Sequence, residues 1–185
     1  MATVLSVSGS PSRTSRTTRL LRHVDARLAA HGHDVVPFEA RALPAEALLS
    51  ADTSHPEIAR AIELFAEADG IVIGTPVYKA AYSGLLKTLL DLLPQYALRG
   101  KAVLPLATGG STAHVLAVDY ALRPVLSSMG AAHITQGWFV LDRHVSVRED
   151  GTTEIERETD VLLGPVVDTF ASALVRTGEF AAVAG

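Results

Sequence analysis

The sequence predicts an α/β fold in which a doubly wound sheet of five parallel strands runs in the order 2-1-3-4-5. Three observations lead there. Short apolar runs alternate with longer segments of helical periodicity, with no linker, repeat or low-complexity stretch between them. The runs around Val4 and Val7, Ile71 and Ile73, and Val103 and Leu106 have the unbroken apolar character of strands covered on both faces. Three of the strand patterns end in turns rich in Gly, Pro and hydroxyl residues, at 8–18, 75–84 and 108–112, and ligands of open parallel sheets sit beyond such strand ends. The length of 185 residues, 48% of them hydrophobic, fits one domain over 1–185 with a core large enough to need no staples.

Residues 2–8 read as the first strand. A helix follows over 15–30, because Leu20, Leu21, Val24 and Leu28 recur at helical spacing, and Gly32 ends it. Residues 34–39 form the second strand and 57–68 the next helix. The third strand spans 70–75 and is ended by Pro76, which also keeps Thr75 extended. Ser83 caps a helix over 84–93 whose Leu85, Leu86, Leu89, Leu90, Leu92 and Leu93 occupy most of its circumference. That excess predicts burial under a partner subunit, hence a homodimer or homotetramer, with the later helix at 112–129 sharing the interface. Residues 103–107 are the fourth strand and 137–141 the fifth, which carries the single tryptophan, Trp138. Between 145 and 155 apolar residues alternate on either side of Asp150 and Gly151, a hairpin signal placed beside the fifth strand at the rim of the site. The last helix covers 156–176.

Composition narrows the function. No cysteine is present, so disulfides, thiolate catalysis and Cys-ligated zinc are excluded. The net charge of −4, with scattered Lys and Arg, provides no footprint for nucleic acid. No apolar run reaches the roughly 18 residues of a membrane span, and the apolar start is too short for a signal peptide, so a soluble cytoplasmic protein is expected. The seven histidines are dispersed, and the His31 and His33 pair flanks Gly32 in a turn, so no metal site is expected.

Within 8–18, seven residues carry hydroxyls: Ser8, Ser10, Ser12, Thr14, Ser15, Thr17 and Thr18. Arg13 and Arg16 join them. The segment follows a buried strand and opens a helix, where free N–H groups and the helix dipole favour an anion. A well-capped helix start uses the same residue types but needs only one or two of them. The spacing is neither a Walker A loop nor G-x-G-x-x-G, which leaves a mononucleotide phosphate as the leading ligand. Gly109 and Gly110 suit either a close backbone approach to a ligand or an αL turn, and Tyr78 and Tyr82 either a ring-lined wall or surface rings. Glu39 ends the second strand as a ribose-binding acid does, yet without the glycine loop it reads as a surface carboxylate.

Gly9, Ser10 and Pro11 with Ser15 and Arg16, the stretch 75–91 from Thr75 to Asp91, and the segments 104–110 and 113–124 carry a resemblance to a known family. The chain resembles the NADPH-dependent FMN reductases of the flavodoxin-like superfamily, above all the reductase components of bacterial alkanesulfonate monooxygenase systems. The resemblance spans about 4–140 and fades after Leu141. It implies a flavodoxin-like fold and places the FMN phosphate on Ser10, Ser15, Arg16 and Thr17, with Ser8 as the first hydroxyl of the same loop. Pro76, Val77, Tyr78 and Lys79 then meet the flavin ring, and Thr108, Gly109, Gly110 and Ser111 its far end. The implied reaction is hydride transfer from NADPH or NADH to FMN. The cofactors carry that chemistry and no catalytic side chain is required, which leaves His114 a structural role. Reduced FMN then passes to a partner monooxygenase, so FMN is a substrate that leaves, with a dissociation constant near micromolar. The alternatives are a bound-FMN quinone, azo or metal-ion reductase and a flavodoxin-type electron carrier. The resembled reductases also widen one helical turn near Tyr120 into a π-bulge, where a plain helix kinked at Pro124 is the other reading.

Overall fold

Strand alternation sends successive side chains of one strand to two different cores, and here it builds both at once. The computed structural model describes the backbone of residues 1–183 and the side chains through residue 174. Its main sheet contains β1 (Thr3–Ser8), β2 (Asp34–Glu39), β3 (Gly70–Tyr78), β4 (Ala81–Tyr82), β5 (Ala102–Gly109), β6 (His133–Ile134) and β7 (Trp138–Leu141). Leu5, Val7, Ile71, Ile73 and Val103 point to one face, and Val4, Val72, Leu104 and Leu106 to the other.

The parallel order is β2-β1-β3-β5, with β6 and β7 both on the outer edge of β5. This is the predicted 2-1-3-4-5 sheet with its fifth strand in two pieces. The break faces Leu104 and Pro105, where proline has no N–H to donate to a ladder. Gly137 sits at the same step, and a Cβ there would meet Val118 at 2.4 Å and the Pro105 carbonyl oxygen at 3.0 Å.

Helices α1 (Arg16–Ala30), α2 (Ala45–Leu49), α3 (Pro56–Glu67), α4 (Gly84–Asp91), α5 (Arg123–Ser128) and α6 (Arg157–Val183) cover the two faces. Leu20, Leu21, Val24 and Leu28 of α1 meet Leu163, Val167 and Phe170 of α6 over one face. Arg27 and His31 tie these two helices through Asp168, whose carboxyl their hydrogen bonds hold well below the usual range. The other face carries α3, α4 and α5.

Four expectations are corrected. The third strand does not stop at Thr75; β3 runs to Tyr78 and folds back into β4, with Lys79 and Ala80 between them at φ 50° and 63°. Segment 40–49, read as no element, forms a 3-10 turn (Ala40–Ala42) and α2. There Leu43, Ala47 and Leu48 join the cluster holding the α4 leucines. Leu86, Leu89, Leu90, Leu92 and Leu93 are all buried within the chain, so their excess has its cover without a second subunit. The predicted helix 112–129 is not continuous: a 3-10 turn (Thr112–His114) precedes a π-helix (Val118–Leu122), then α5. Tyr120 therefore sits in the widened turn that the resemblance implied. The hairpin is present as β8 (Val145–Val147) and β9 (Thr153–Ile155), with Val145 opposite Ile155 and Gly151 at φ 81°.

Candidate functional site

The carboxyl ends of β1, β3 and β5 lie side by side in the sheet, and the loops that leave them enclose a cleft of about 200 Å³. The first loop is held rigid by its own hydroxyls. Ser8 Oγ is bonded to Thr18 Oγ1 at 2.8 Å and accepts from the Ser10 N–H at 3.4 Å. Ser10 Oγ accepts from the Ser12 N–H, and Ser12 Oγ from the Thr14 N–H, each hydroxyl serving the residue two ahead.

Ser15 caps α1, its hydroxyl accepting from the Thr18 N–H at 3.0 Å, and the Arg19 N–H returns to the Ser15 carbonyl. Among the described residues the N–H groups of Arg16 and Thr17 meet no acceptor, and both residues line the cleft. That is the geometry of a phosphate cradle.

The loops are also locked to one another. Thr17 Oγ1 lies 2.7 Å from Thr108 Oγ1, both buried, which joins the start of α1 to the end of β5. The Gly9 N–H donates to the Gly74 carbonyl at 2.8 Å, and the Ser83 hydroxyl donates to the Gly9 carbonyl. A Cβ on Gly9 would stand 2.6 Å from Leu86 Cβ, so only glycine lets the loop lie this close to α4. The Ser83 N–H in turn donates to Thr75 Oγ1 at 2.9 Å.

Of the residues singled out from sequence, Ser10, Ser15, Arg16, Thr17, Pro76, Val77, Tyr78, Thr108, Gly109 and Gly110 line the cleft together. Ser8 stands behind the loop with its hydroxyl committed to Thr18, and Lys79 and Ser111 lie outside the lining. Neither Gly109 nor Gly110 has positive φ, so the αL turn does not occur; a Cβ on Gly109 would stand 3.1 Å from the Phe139 ring. Trp138 packs with the core between α1 and α6, away from the cleft. Ser12, Thr14 and Asp142 line the cleft and were missed. Ser12 and Thr14 belong to the hydroxyl run and were legible there, whereas Asp142 follows β7 and only tertiary structure brings it to the first loop.

Residues 2–145 match the family described as NADPH-dependent FMN reductase. The chain belongs to that family. It is 48% identical to an FMN reductase (NADPH) of Pseudomonas putida over 94% of this chain and 88% of the relative. It is 44% identical to the FMN reductase (NADPH) of Escherichia coli K12 over 94% of this chain and 90% of the relative. The fold superimposes on the apo form of an NADH:FMN oxidoreductase with a TM-score of 0.85 at 41% identity, covering 94% of this chain and 90% of the other. The cleft carries hydrogen-bond donors and hydroxyls on one side and an apolar wall on the other. The orphan N–H groups of Arg16 and Thr17, the hydroxyls around them and the Arg16 guanidinium suit a phosphate. Pro76, Val77 and the half-exposed ring of Tyr78 form the wall. Among the described residues no helix is long and apolar enough to cross a membrane.

Proposed function

We propose that the chain binds FMN with its phosphate on the loop after β1, reduces it with NAD(P)H, and releases reduced FMN to a partner monooxygenase. The observation that carries this reading is that Arg16 and Thr17, whose first-turn N–H groups meet no acceptor among the described residues, line a cleft together with Pro76, Val77 and Tyr78. Bound FMN supplies the ring that takes up the hydride. The protein positions it: the first-turn N–H groups, Ser10, Ser15 and Arg16 fix the phosphate, and the link between Thr17 and Thr108 holds the phosphate loop at a set distance from the Gly109 and Gly110 backbone. No side chain needs to move a proton at the reacting atoms, which agrees with a cleft lined mainly by hydroxyls and backbone.

Release follows from the same geometry. Trp138, the strongest stacking side chain in the sequence, packs in the core and not against the cleft, so the phosphate would carry most of the binding and one flavin face would stay open. A cytoplasmic setting, where NADPH is held, accompanies this reading. The test is steady-state kinetics on protein dialysed free of flavin. NADPH oxidation should saturate in added FMN, and fluorescence titration should return a dissociation constant of about 1 μM, or roughly −8 kcal/mol. Yellow protein that keeps stoichiometric FMN through dialysis would instead identify a bound-flavin reductase or an electron carrier.

A further inference from the structure

A second groove opens beside the flavin cleft, between the start of α1 and β8. It encloses about 420 Å³ and is lined by Thr14, Arg16, Arg19, Asp142, Arg143 and strand β8. Thr14, Arg16 and Asp142 line both spaces, whereas Pro76, Val77 and Tyr78 line the cleft alone. The groove therefore leads onward from the phosphate end of the cleft, away from the ring wall. Its volume lies within the roughly 300–1,000 Å³ of small-molecule sites.

Charge distinguishes it from the rest of the surface. Among the described residues, Arg22, Arg27, Arg41, Arg60, Arg123 and Arg148 each meet a carboxylate, and Arg99 lies over the Tyr96 ring. Among the described residues Arg16, Arg19 and Arg143 meet no carboxylate, as is also true of Arg99, of Arg13 on the same loop and of Arg157 at the start of α6. Three unneutralised guanidinium groups around one concavity focus the field on an anion. Asp142, the carboxylate of the groove, forms no salt bridge and is free to accept from hydroxyl groups. Val147, 45% exposed, adds an apolar side chain to the groove.

FMN ends at its 5′-phosphate, which the first-turn N–H groups of α1 and their hydroxyls already accommodate, so FMN does not account for Arg19 and Arg143. We propose that the groove is a subsite for a phosphorylated adenosine, the half of a dinucleotide that extends beyond the flavin cleft. Arg19 and Arg143 take its phosphate, Asp142 and Thr14 its ribose hydroxyls, and Val147 one face of its base. Two molecules carry that chemistry: FAD, whose adenylate joins the flavin phosphate directly, and NADPH, whose adenosine bears a 2′-phosphate that NADH lacks. The inference rests on the flavin reading of the adjoining cleft.

The test uses the full chain with Arg19→Ala and Arg143→Ala. Dissociation constants for FMN and FAD come from flavin fluorescence quenching, and KM for NADPH and NADH is measured at saturating FMN. FMN affinity is expected to stay within about twofold of wild type, while one dinucleotide weakens about tenfold, the effect of removing a charge-assisted hydrogen bond. A tenfold loss for FAD with both KM values unchanged identifies the adenylate of FAD as the occupant. A tenfold rise in KM for NADPH with none for NADH identifies the 2′-phosphate. Unchanged FAD binding and unchanged KM for both nicotinamides, with FMN bound normally, overturns the subsite alone. Wild-type protein that fails to quench FMN fluorescence overturns the flavin reading and the subsite together.

Discussion

Arg16 is the first residue of α1 and lines the cleft, and on the proposed reading its backbone N–H and its guanidinium both meet the phosphate. Truncating the side chain leaves the N–H in place and removes only the charge. Arg16→Ala should therefore weaken FMN by roughly 1.5–3 kcal/mol and riboflavin, which lacks the phosphate, far less. Fluorescence titration of both flavins decides it, and equal losses would move the phosphate elsewhere. Asp25 shows a different tension. Burial pushes its carboxyl up to about 6, and the nearby Ser6 hydroxyl and Arg22 oppose this only in part. Because the folded carboxyl holds its proton more tightly than the unfolded one, ionisation destabilises the fold. Stability is lost as pH rises from near 4 to near 6, by roughly 2–3 kcal/mol in all. Asp25→Asn should raise stability in urea at neutral pH by about 1–2 kcal/mol, and the gain should vanish near pH 4. A gain of equal size at both pH values would place its origin elsewhere.

The turn between β3 and β4 bends at two consecutive non-glycine residues in the left-handed region, Lys79 and Ala80. Two positive φ values are what a two-residue hairpin of this hand requires, and Asn-Gly is the pair that meets them without strain. An L side chain there costs about 1 kcal/mol. Ala80→Gly should recover it, raising the melting temperature by roughly 2–4 °C for a chain of this size. A melting temperature that stays the same or falls would show that the strain is relieved elsewhere. The π-helix Val118–Leu122 is another irregular element, and it exposes rather than buries its aromatic residue.

For the molecule as a whole, Val115, Leu116 and Tyr120 form one stretch of exposed apolar side chains, exposed by 42%, 58% and 78%, with Leu116 one helical turn from Tyr120. With the α4 leucines covered internally, this patch becomes the surface on which we expect a second copy to sit, the homodimer or homotetramer predicted from sequence. Sedimentation at micromolar concentration should show an assembly larger than a monomer, and Tyr120→Ala should shift it to smaller species. Wild-type protein that sediments as a monomer would end the interface.

Local pattern determined most of the architecture. The periodicity of Leu20, Leu21, Val24 and Leu28, the apolar run through Val4 and Val7, and the caps Ser15 and Ser83 depend on residues a few positions apart, which is why these elements fall close to where the sequence put them. The candidate cleft was legible for the same reason. Once the strands are parallel and doubly wound, the loops after the first, third and fourth predicted strands must be neighbours, and ten of the thirteen residues named on them line one cleft. What tertiary structure alone decided are contacts between segments far apart in sequence. No periodicity in 40–49 announces that Leu43 and Leu48 will cover the leucines of α4. Nor does the chain around Asp142 and Arg143 announce that it will close a groove against Arg16 and Arg19, more than a hundred residues earlier. A side chain's own neighbours set its local geometry, but which distant surface it meets depends on how all the layers pack together.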